Sequence, residues 1–335
     1  MANGRVPDAA PAQMLPREIV HTTMTLHHKP AATIHISLAR SNDADSPRVI
    51  IVFLNGLMSD KSSWLPVMAS IIRERKESST AGPTLLAYDR YGQGLTTDTD
   101  PLDRGREKGR GHDVKDAAED LRHLIAQVCV DGPEPRVVLV ANSIGCAIAR
   151  CYAQNNPVAA ILFLDSIIAN SSFDFWPDPD RDGFDKARDL PEDVSVEILR
   201  EQRKKFAAIF RPDVANKEGL DRATLAKLLP ESDKPILGKQ GQQPWVTVVG
   251  HDFQTFAEES LKTMGTPISL SMRYSNPIWN EYNQGLARLT DQKLSKGPFQ
   301  AKGCGHFIQR DDPTLVVQET LDLADKAKID FWAPS

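Results

Sequence analysis

Several short stretches of this chain set chemically capable side chains beside glycines or directly after apolar runs. They are Asn55-Gly56-Leu57, Arg90-Tyr91-Gly92-Gln93-Gly94, Asn142-Ser143-Ile144-Gly145, Asp165, His251-Asp252 and Gly303-Cys304-Gly305-His306-Phe307. A serine, a histidine and a carboxylate are the parts of an acyl-transfer site. The hydroxyl is a weak nucleophile until an imidazole takes its proton, and a carboxylate fixes the imidazole's tautomer and stabilises the imidazolium. Ser143 is the candidate nucleophile and His306 the candidate base. The competing readings are ordinary: Ser143 as a helix cap, and His306 as a surface imidazole. The surface reading is given to His21, His27, His28, His35, His112 and His123. Two carboxylates, Asp252 and Asp165, each follow an apolar run and each could reach the imidazole. His251 is read as a neighbour of the site and not as its base.

These residues need elements to hold them. "RVIIVFL" (48–54), "TLLAYD" (84–89), "RVVLV" (136–140), "AAILFLD" (159–165) and "WVTVVG" (245–250) are short apolar runs of the kind buried on both faces of a parallel sheet. Helical patterns alternate with them, as in "SSWLPVMASIIRER", "DVKDAAEDLRHLIAQVCV" and "IGCAIARCYAQ". "EIVHTTMTL" and "ATIHISLAR" form an expected hairpin ahead of them. Alternating strands and helices imply an α/β fold, a mostly parallel sheet with helices on both faces. Ligands of such sheets bind beyond the carboxyl ends of the strands, where the candidate residues fall.

The alternation stops over residues 168–240. Helical candidates there are "SVEILREQRKKFAAIF" and "DRATLAKLL", after the aromatic and acidic "SSFDFWPDPDRDGFD". The segment is read as a helical cap inserted into a core of residues 17–167 and 241–335, with residues 1–16 a loose arm.

Composition narrows the function. Forty Lys and Arg against 45 Asp and Glu give a net charge of −5 over 335 residues, with no basic stripe, so a nucleic-acid partner is not expected. The four cysteines lack zinc spacing. No stretch approaches the ~18 apolar residues of a membrane span, and the N-terminus has no signal-peptide core. The expectation is a cytoplasmic protein with a small-molecule substrate, no membrane partner, no metal and no cofactor.

Ala141-Asn142-Ser143-Ile144-Gly145, between a strand and an Ala/Ile/Cys helix, resembles the nucleophile elbow of the α/β-hydrolase superfamily, usually G-x-S-x-G. Alanine stands here for the first glycine. The resemblance spans most of residues 45–325. "YDRYGQG" is similar to the superfamily's D-x-x-G-x-G turn, and "GCGHFIQRDDP" to its histidine-bearing segment. The flavour is that of capped fungal members. The resemblance implies an α/β-hydrolase fold and the chain order serine, acid, histidine. It favours Asp252 as the acid, the commoner position, with Asp165 the alternative or an anchor for the cap's first turn. It implies an oxyanion hole from the backbone N–H groups of Leu57 and Ile144, with Asn55 in place of the common histidine. Asn55, Met58, Phe173, Phe175 and Trp176 are candidate substrate contacts, the three aromatics alternatively packing the cap on the core.

A serine at the elbow excludes relatives with a nucleophilic aspartate. The leading expectation is a serine hydrolase cleaving a carboxylic ester or lactone of a mid-sized, mainly apolar molecule through an acyl-enzyme. The alternatives are a carbon–carbon bond hydrolase or cyclase of a biosynthetic pathway, and a sensor that keeps the triad.

Overall fold

A computed structural model describes residues 18–41, 48–78, 80, 82–130, 133–239 and 242–330. The expected N-terminal arm lies outside them. One eight-stranded sheet runs in the order β1-β2-β4-β3-β5-β6-β7-β8. Its strands are β1 (Val20–Thr25), β2 (Thr33–Ala39), β3 (Val49–Leu54), β4 (Thr84–Tyr88), β5 (Arg136–Ser143), β6 (Ala160–Ser166), β7 (Trp245–His251) and β8 (Ser295–Ala301). The expected hairpin β1–β2 pairs antiparallel, and β2 joins β4 antiparallel. All other pairings are parallel.

The parallel strands are buried on both faces because side chains alternate along them. On β3, Ile50, Val52 and Leu54 enter one core and Val49, Ile51 and Phe53 the other. Helices α2 (Val114–Val128) and α3 (Ile144–Asn155) cover the first face, through residues such as Leu121, Leu124 and Ile148. Helix α1 (Leu65–Glu77) and the C-terminal helix (Pro313–Asp330) cover the second, through Met68, Ile71, Val316 and Val317.

Between β6 and β7 the chain leaves the sheet. It forms α4 (Lys186–Asp189), α5 (Val196–Phe210) and α6 (Leu225–Leu228), joined by long irregular stretches. The periodic run around 196–210 is a full helix, whereas only four residues of "DRATLAKLL" are helical. After β7 come α7 (Phe253–Met264), α8 (Ile268–Leu270), α9 (Asn276–Leu286) and, beyond β8, α10 (Ile308–Asp311); the C-terminal helix is α11.

Candidate active site

Ser143 is the last residue of β5, and α3 starts at Ile144. Its backbone is at φ 54°, ψ −123°, and its side chain makes no cap hydrogen bond. A non-glycine residue at positive φ costs about 1–3 kcal/mol and is held only where the surroundings dictate it. The capping reading of Ser143 therefore fails on geometry. The turn is tight because α3 runs against β3. A Cβ added at Gly145 would lie 2.5 Å from the Leu54 carbonyl oxygen, so only glycine lets the helix start there.

Two further segments close around the elbow. A Cβ at Gly56 would come within 3.2 Å of Ser143 Cβ and 3.8 Å of the Phe307 ring, which puts the Asn55-Gly56-Leu57 loop, the elbow and the His306 loop in mutual contact. Asn142 ties the last of these down by donating its Nδ2 to the His306 carbonyl at 2.9 Å and to the Leu164 carbonyl at 3.0 Å.

The carboxylate that meets His306 is that of Asp165, not Asp252. His306 Nδ1 lies 2.5 Å from Asp165 Oδ2. Asp165 is bulged out of the β5–β6 register, where Asn142 pairs Leu164 and Ser143 pairs Ser166, and it sits at φ 43°. A bulge re-aims a side chain that a regular strand would send elsewhere. Burial alone would push the Asp165 carboxyl up, but His251 and then His306 more than reverse this and hold it well below the usual carboxylate range. Asp252 is instead the N-cap of α7. Its Oδ1 accepts the Gln254 and Thr255 backbone N–H groups, both at 3.0 Å. It touches the His306 loop only through its own N–H, which donates to the Cys304 carbonyl at 2.8 Å, and through a long contact from the Gly303 N–H at 3.4 Å.

His251 is closer to the site than a bystander. Its ring is buried, with Nδ1 2.8 Å from Asp165 Oδ1 and Nε2 3.2 Å from Asn276 Oδ1. His112 also departs from the surface reading: it is buried, with Nδ1 2.9 Å from the Asp103 carboxylate.

The Asn55-Gly56-Leu57 loop stands on a buried polar network. Asn55 is 1 % exposed, and its side chain is consumed internally: it donates to the Tyr88 carbonyl and Gln93 Oε1, each at 2.8 Å, and accepts from Trp64 Nε1 at 2.8 Å. It is a support for the loop and not a substrate contact. Arg90 donates to the Asn55 carbonyl at 2.8 Å and to the Gly56 carbonyl at 3.2 Å, and Gln93 donates to the Gly56 carbonyl at 2.9 Å. Glu218, reaching in from the segment between β6 and β7, accepts from Arg90 at 2.9 Å, from Gln93 at 3.0 Å and from the Met58 backbone N–H.

With the Met58 amide taken by Glu218, the Leu57 amide meets no acceptor among the described residues. The Ile144 amide opens α3, where helix N–H groups point outward unpaired. Both are suited to receive an oxyanion. Met58 itself, at φ 55°, is 58 % exposed. Arg90 and Gln93 belong to a stretch the sequence marks, but their role as supports of this loop, and that of Trp64, is not evident there, and Glu218 is missed. "YDRYGQG" marks the turn that carries Arg90 and Gln93, but nothing local marks Glu218.

Phe173, Phe175 and Trp176 are buried and packed on one another and on the segment's own helix. Phe173 to Phe175 is 5.4 Å between centroids, and Trp176 to Phe206 is 4.9 Å. Phe175 reaches Trp279 of α9 at 6.1 Å, and Trp279 meets the His306 ring edge-on at 5.9 Å. The aromatics thus fasten the segment to the core, the packing alternative of the two readings. A cavity of about 10 Å³ beside Trp176, Phe256 and Trp279 has room for a water molecule and no more. Among the described residues there is no cluster of His, Cys, Asp and Glu suited to a metal ion, and no helix long and apolar enough to cross a membrane.

The model of the alpha/beta hydrolase family matches residues 51–319, and the chain belongs to that family. No curated protein matches the sequence. Among solved structures the chain is similar to the peroxisomal alpha-beta-hydrolase Lpx1 of Saccharomyces cerevisiae, at 12 % identity and a TM-score of 0.55, covering 96 % of this chain and 92 % of that one. It is similar also to a mutant epoxide hydrolase of Solanum tuberosum, at 16 % identity and a TM-score of 0.53, covering 92 % and 100 %. Cfl2 of Burkholderia cenocepacia matches at 17 % identity and a TM-score of 0.50, covering 90 % and 94 %. At these identities the likeness is one of fold.

Proposed function

We propose that the protein is a serine hydrolase that cleaves a carboxylic ester or lactone of a mid-sized, mainly apolar small molecule through an acyl-enzyme. The observation that carries this is the elbow serine at φ 54° beside Gly56, together with the 2.5 Å bond from His306 to Asp165. Asp165 accepts a hydrogen bond from the His306 Nδ1–H, which fixes the tautomer and leaves the Nε2 lone pair as the base. Ser143 Oγ attacks the carbonyl carbon, its proton passes to His306 Nε2, and the carbonyl oxygen becomes an oxyanion facing the Leu57 and Ile144 amides. Collapse of this intermediate breaks the bond to the alkoxy oxygen, which leaves with the proton from His306. In a lactone that oxygen stays tethered. Water then attacks the acyl-enzyme by the same route and restores the serine.

The segment between β6 and β7 acts as the cap in this reading. The apolar character of the substrate is supported by Trp279 and Phe307, whose rings lie 5.9 Å and 5.1 Å from that of His306. A cytosolic setting is supported by the four cysteines, all free thiols, three of them buried.

The test is turnover of a panel of apolar aryl esters, lactones and β-diketones by the wild type and Ser143→Ala. The expected result is ester or lactone cleavage that Ser143→Ala abolishes. Cleavage of the diketones alone would replace the ester reading with carbon–carbon bond hydrolysis, and turnover undiminished in Ser143→Ala would overturn the nucleophile.

A further inference from the structure

The Asp165 carboxylate lies between two imidazoles, and the reaction just proposed uses only one of them. His251 Nδ1 faces Asp165 Oδ1 at 2.8 Å, and its Nε2 faces Asn276 Oδ1 at 3.2 Å. The orientation of Asn276 is fixed from its other end. Its Nδ2 donates to the Phe253 carbonyl at 3.0 Å and contacts Met272 Sδ at 3.3 Å, which leaves the amide oxygen turned to the ring. Asp165 also accepts the His251 backbone N–H at 3.2 Å and the His306 ring at 2.5 Å, so it acts throughout as an acceptor. Both nitrogens of His251 therefore meet acceptors. A neutral imidazole has one N–H and one lone pair, and would aim that lone pair at an oxygen on one side or the other. Only the imidazolium satisfies both. The ring cannot turn to water, being 1 % exposed, stacked on Phe256 at 4.1 Å and edged by Trp279 at 5.6 Å. A flat aromatic face is itself a favourable neighbour for a cation.

We propose that His251 is held as an imidazolium and is a positioning residue of the site, fixing Asp165 and cancelling its charge. The inference builds on the serine-hydrolase reading for its catalytic consequence, but not for the protonation state. Resting Asp165 and His251 sum to zero charge behind His306. When His306 receives the serine proton, the three groups together carry one positive charge, which matches the single negative charge of the oxyanion. With a lone aspartate the same step would leave the triad neutral opposite an anion.

The surroundings of His251 agree. Asp165 faces it from β6, Asp252 is the next residue and adds a second negative charge, Asn276 comes from α9, and Phe253 and Phe256 come from α7. His306 stands beyond Asp165. On β8 the charged side chain of the strand, Lys296, is engaged with Glu319 at 2.6 Å. Burial pulls the His251 imidazolium down, but the charge of Asp165 and the bonds to Asp165 and Asn276 more than reverse that, and the net shift is upward from 6.5.

Two measurements test this. The first is a long-range proton–nitrogen correlation spectrum of ¹⁵N-histidine-labelled wild type, with His251 assigned by the signals missing in His251→Asn. The expected pattern shows both ring nitrogens protonated at neutral pH, and a neutral-tautomer pattern there would overturn the proposal. This readout needs no turnover, so it stands even if no ester is cleaved. The second is the pH profile of kcat/KM for His251→Asn, which keeps a hydrogen-bond donor toward Asp165 and removes the charge. Its acidic limb is expected to move to higher pH by about one unit, the size of shift a neighbouring charge produces. A uniform loss of rate at every pH, with the limb unmoved, would show a merely structural residue and would overturn the catalytic part. Absence of any ester or lactone turnover in the wild type would count against the hydrolase reading, while the spectrum would still decide the charge.

Discussion

The adjacent strands β6 and β7 each bring an aspartate to their carboxyl end, Asp165 one residue before the end of β6 and Asp252 just after β7, and the two have opposite surroundings. Asp165 is fully buried, sits at φ 43° in a bulge, and has an imidazole on each oxygen. Asp252 follows His251 in ordinary extended backbone at φ −70°, ψ 126°, and gives its carboxylate to the first turn of α7. The last residue of β7 is His251, which meets the Asp165 carboxylate from the side opposite His306. The comparison teaches that proximity to a histidine loop does not identify a triad acid. Asp252 is also joined to that loop, but through its backbone N–H and a long contact from the Gly303 N–H, not through the His306 ring.

The largest effect that sharpens this comparison is expected at Asp165. Asp165→Asn should lower turnover by about 10⁴-fold, because an amide presents the wrong partner to the His306 Nδ1–H. The same change leaves His251 facing two neutral amides, so the unfolding midpoint should fall too. Turnover is therefore to be measured well below that midpoint. A loss of less than tenfold with the fold intact would remove Asp165 from the triad.

Next in size is Glu218, which joins the segment after β6 to the Asn55-Gly56-Leu57 loop and to Arg90 and Gln93 beneath it. Glu218→Gln keeps the shape and weakens the grip on Arg90 and Met58. It should lower kcat by between about ten- and a hundredfold with KM little changed, the scale of a slightly misplaced oxyanion donor. Glu218→Ala should in addition cost about 3–5 kcal/mol, since it strands the buried Arg90 guanidinium. Unchanged kcat in Glu218→Gln would mean that the loop holds its shape without the network.

Asp252→Asn should be milder. Asparagine caps helices nearly as well as aspartate, so stability should change by less than the ~1 kcal/mol of a lost cap and turnover by only a few-fold. A loss approaching that of Asp165→Asn would reverse the comparison.

The smallest expected effect is on the pH dependence of stability. The raised pKa of His251 means that its contribution is fully present below 6.5, the unfolded value, and is lost as pH rises through the folded value. The depressed pKa of Asp165 means that its contribution is present above the ordinary carboxylate range and is lost only as pH falls well below it. Thermal midpoints of the wild type should therefore decline on the alkaline side more steeply than those of His251→Asn. Parallel slopes would argue against a buried cation.

Much of this architecture is legible in the residues. The apolar runs at 48–54, 136–140 and 159–164 are buried strands because their alternating side chains feed two cores. Ser143 and Gly145 are legible as an elbow because the close approach of α3 to β3 admits no side chain at 145. The choice between the two acids is not legible. It depends on a bulge that turns Asp165 toward His306, and a bulge leaves no mark in an apolar run. The alternative role of Asp252 does leave one: Asp-Phe-Gln-Thr ahead of an amphipathic stretch is a helix start. Asn55 looked available because it replaces a histidine, yet Tyr88, Gln93 and Trp64 use up its side chain, and those partners meet it only in the fold. Glu218 lies 160 residues from Met58 in the chain, a separation that no local pattern spans.

The most direct test of the account is labelling by an alkyl fluorophosphonate, read by intact mass and peptide mapping, on the wild type and the two aspartate variants. The expected result is rapid stoichiometric labelling of the wild type at Ser143, nearly the same rate in Asp252→Asn, and a rate lower by orders of magnitude in Asp165→Asn. A wild type that stays unlabelled, or an Asp252→Asn variant slowed as much as Asp165→Asn, would contradict the account.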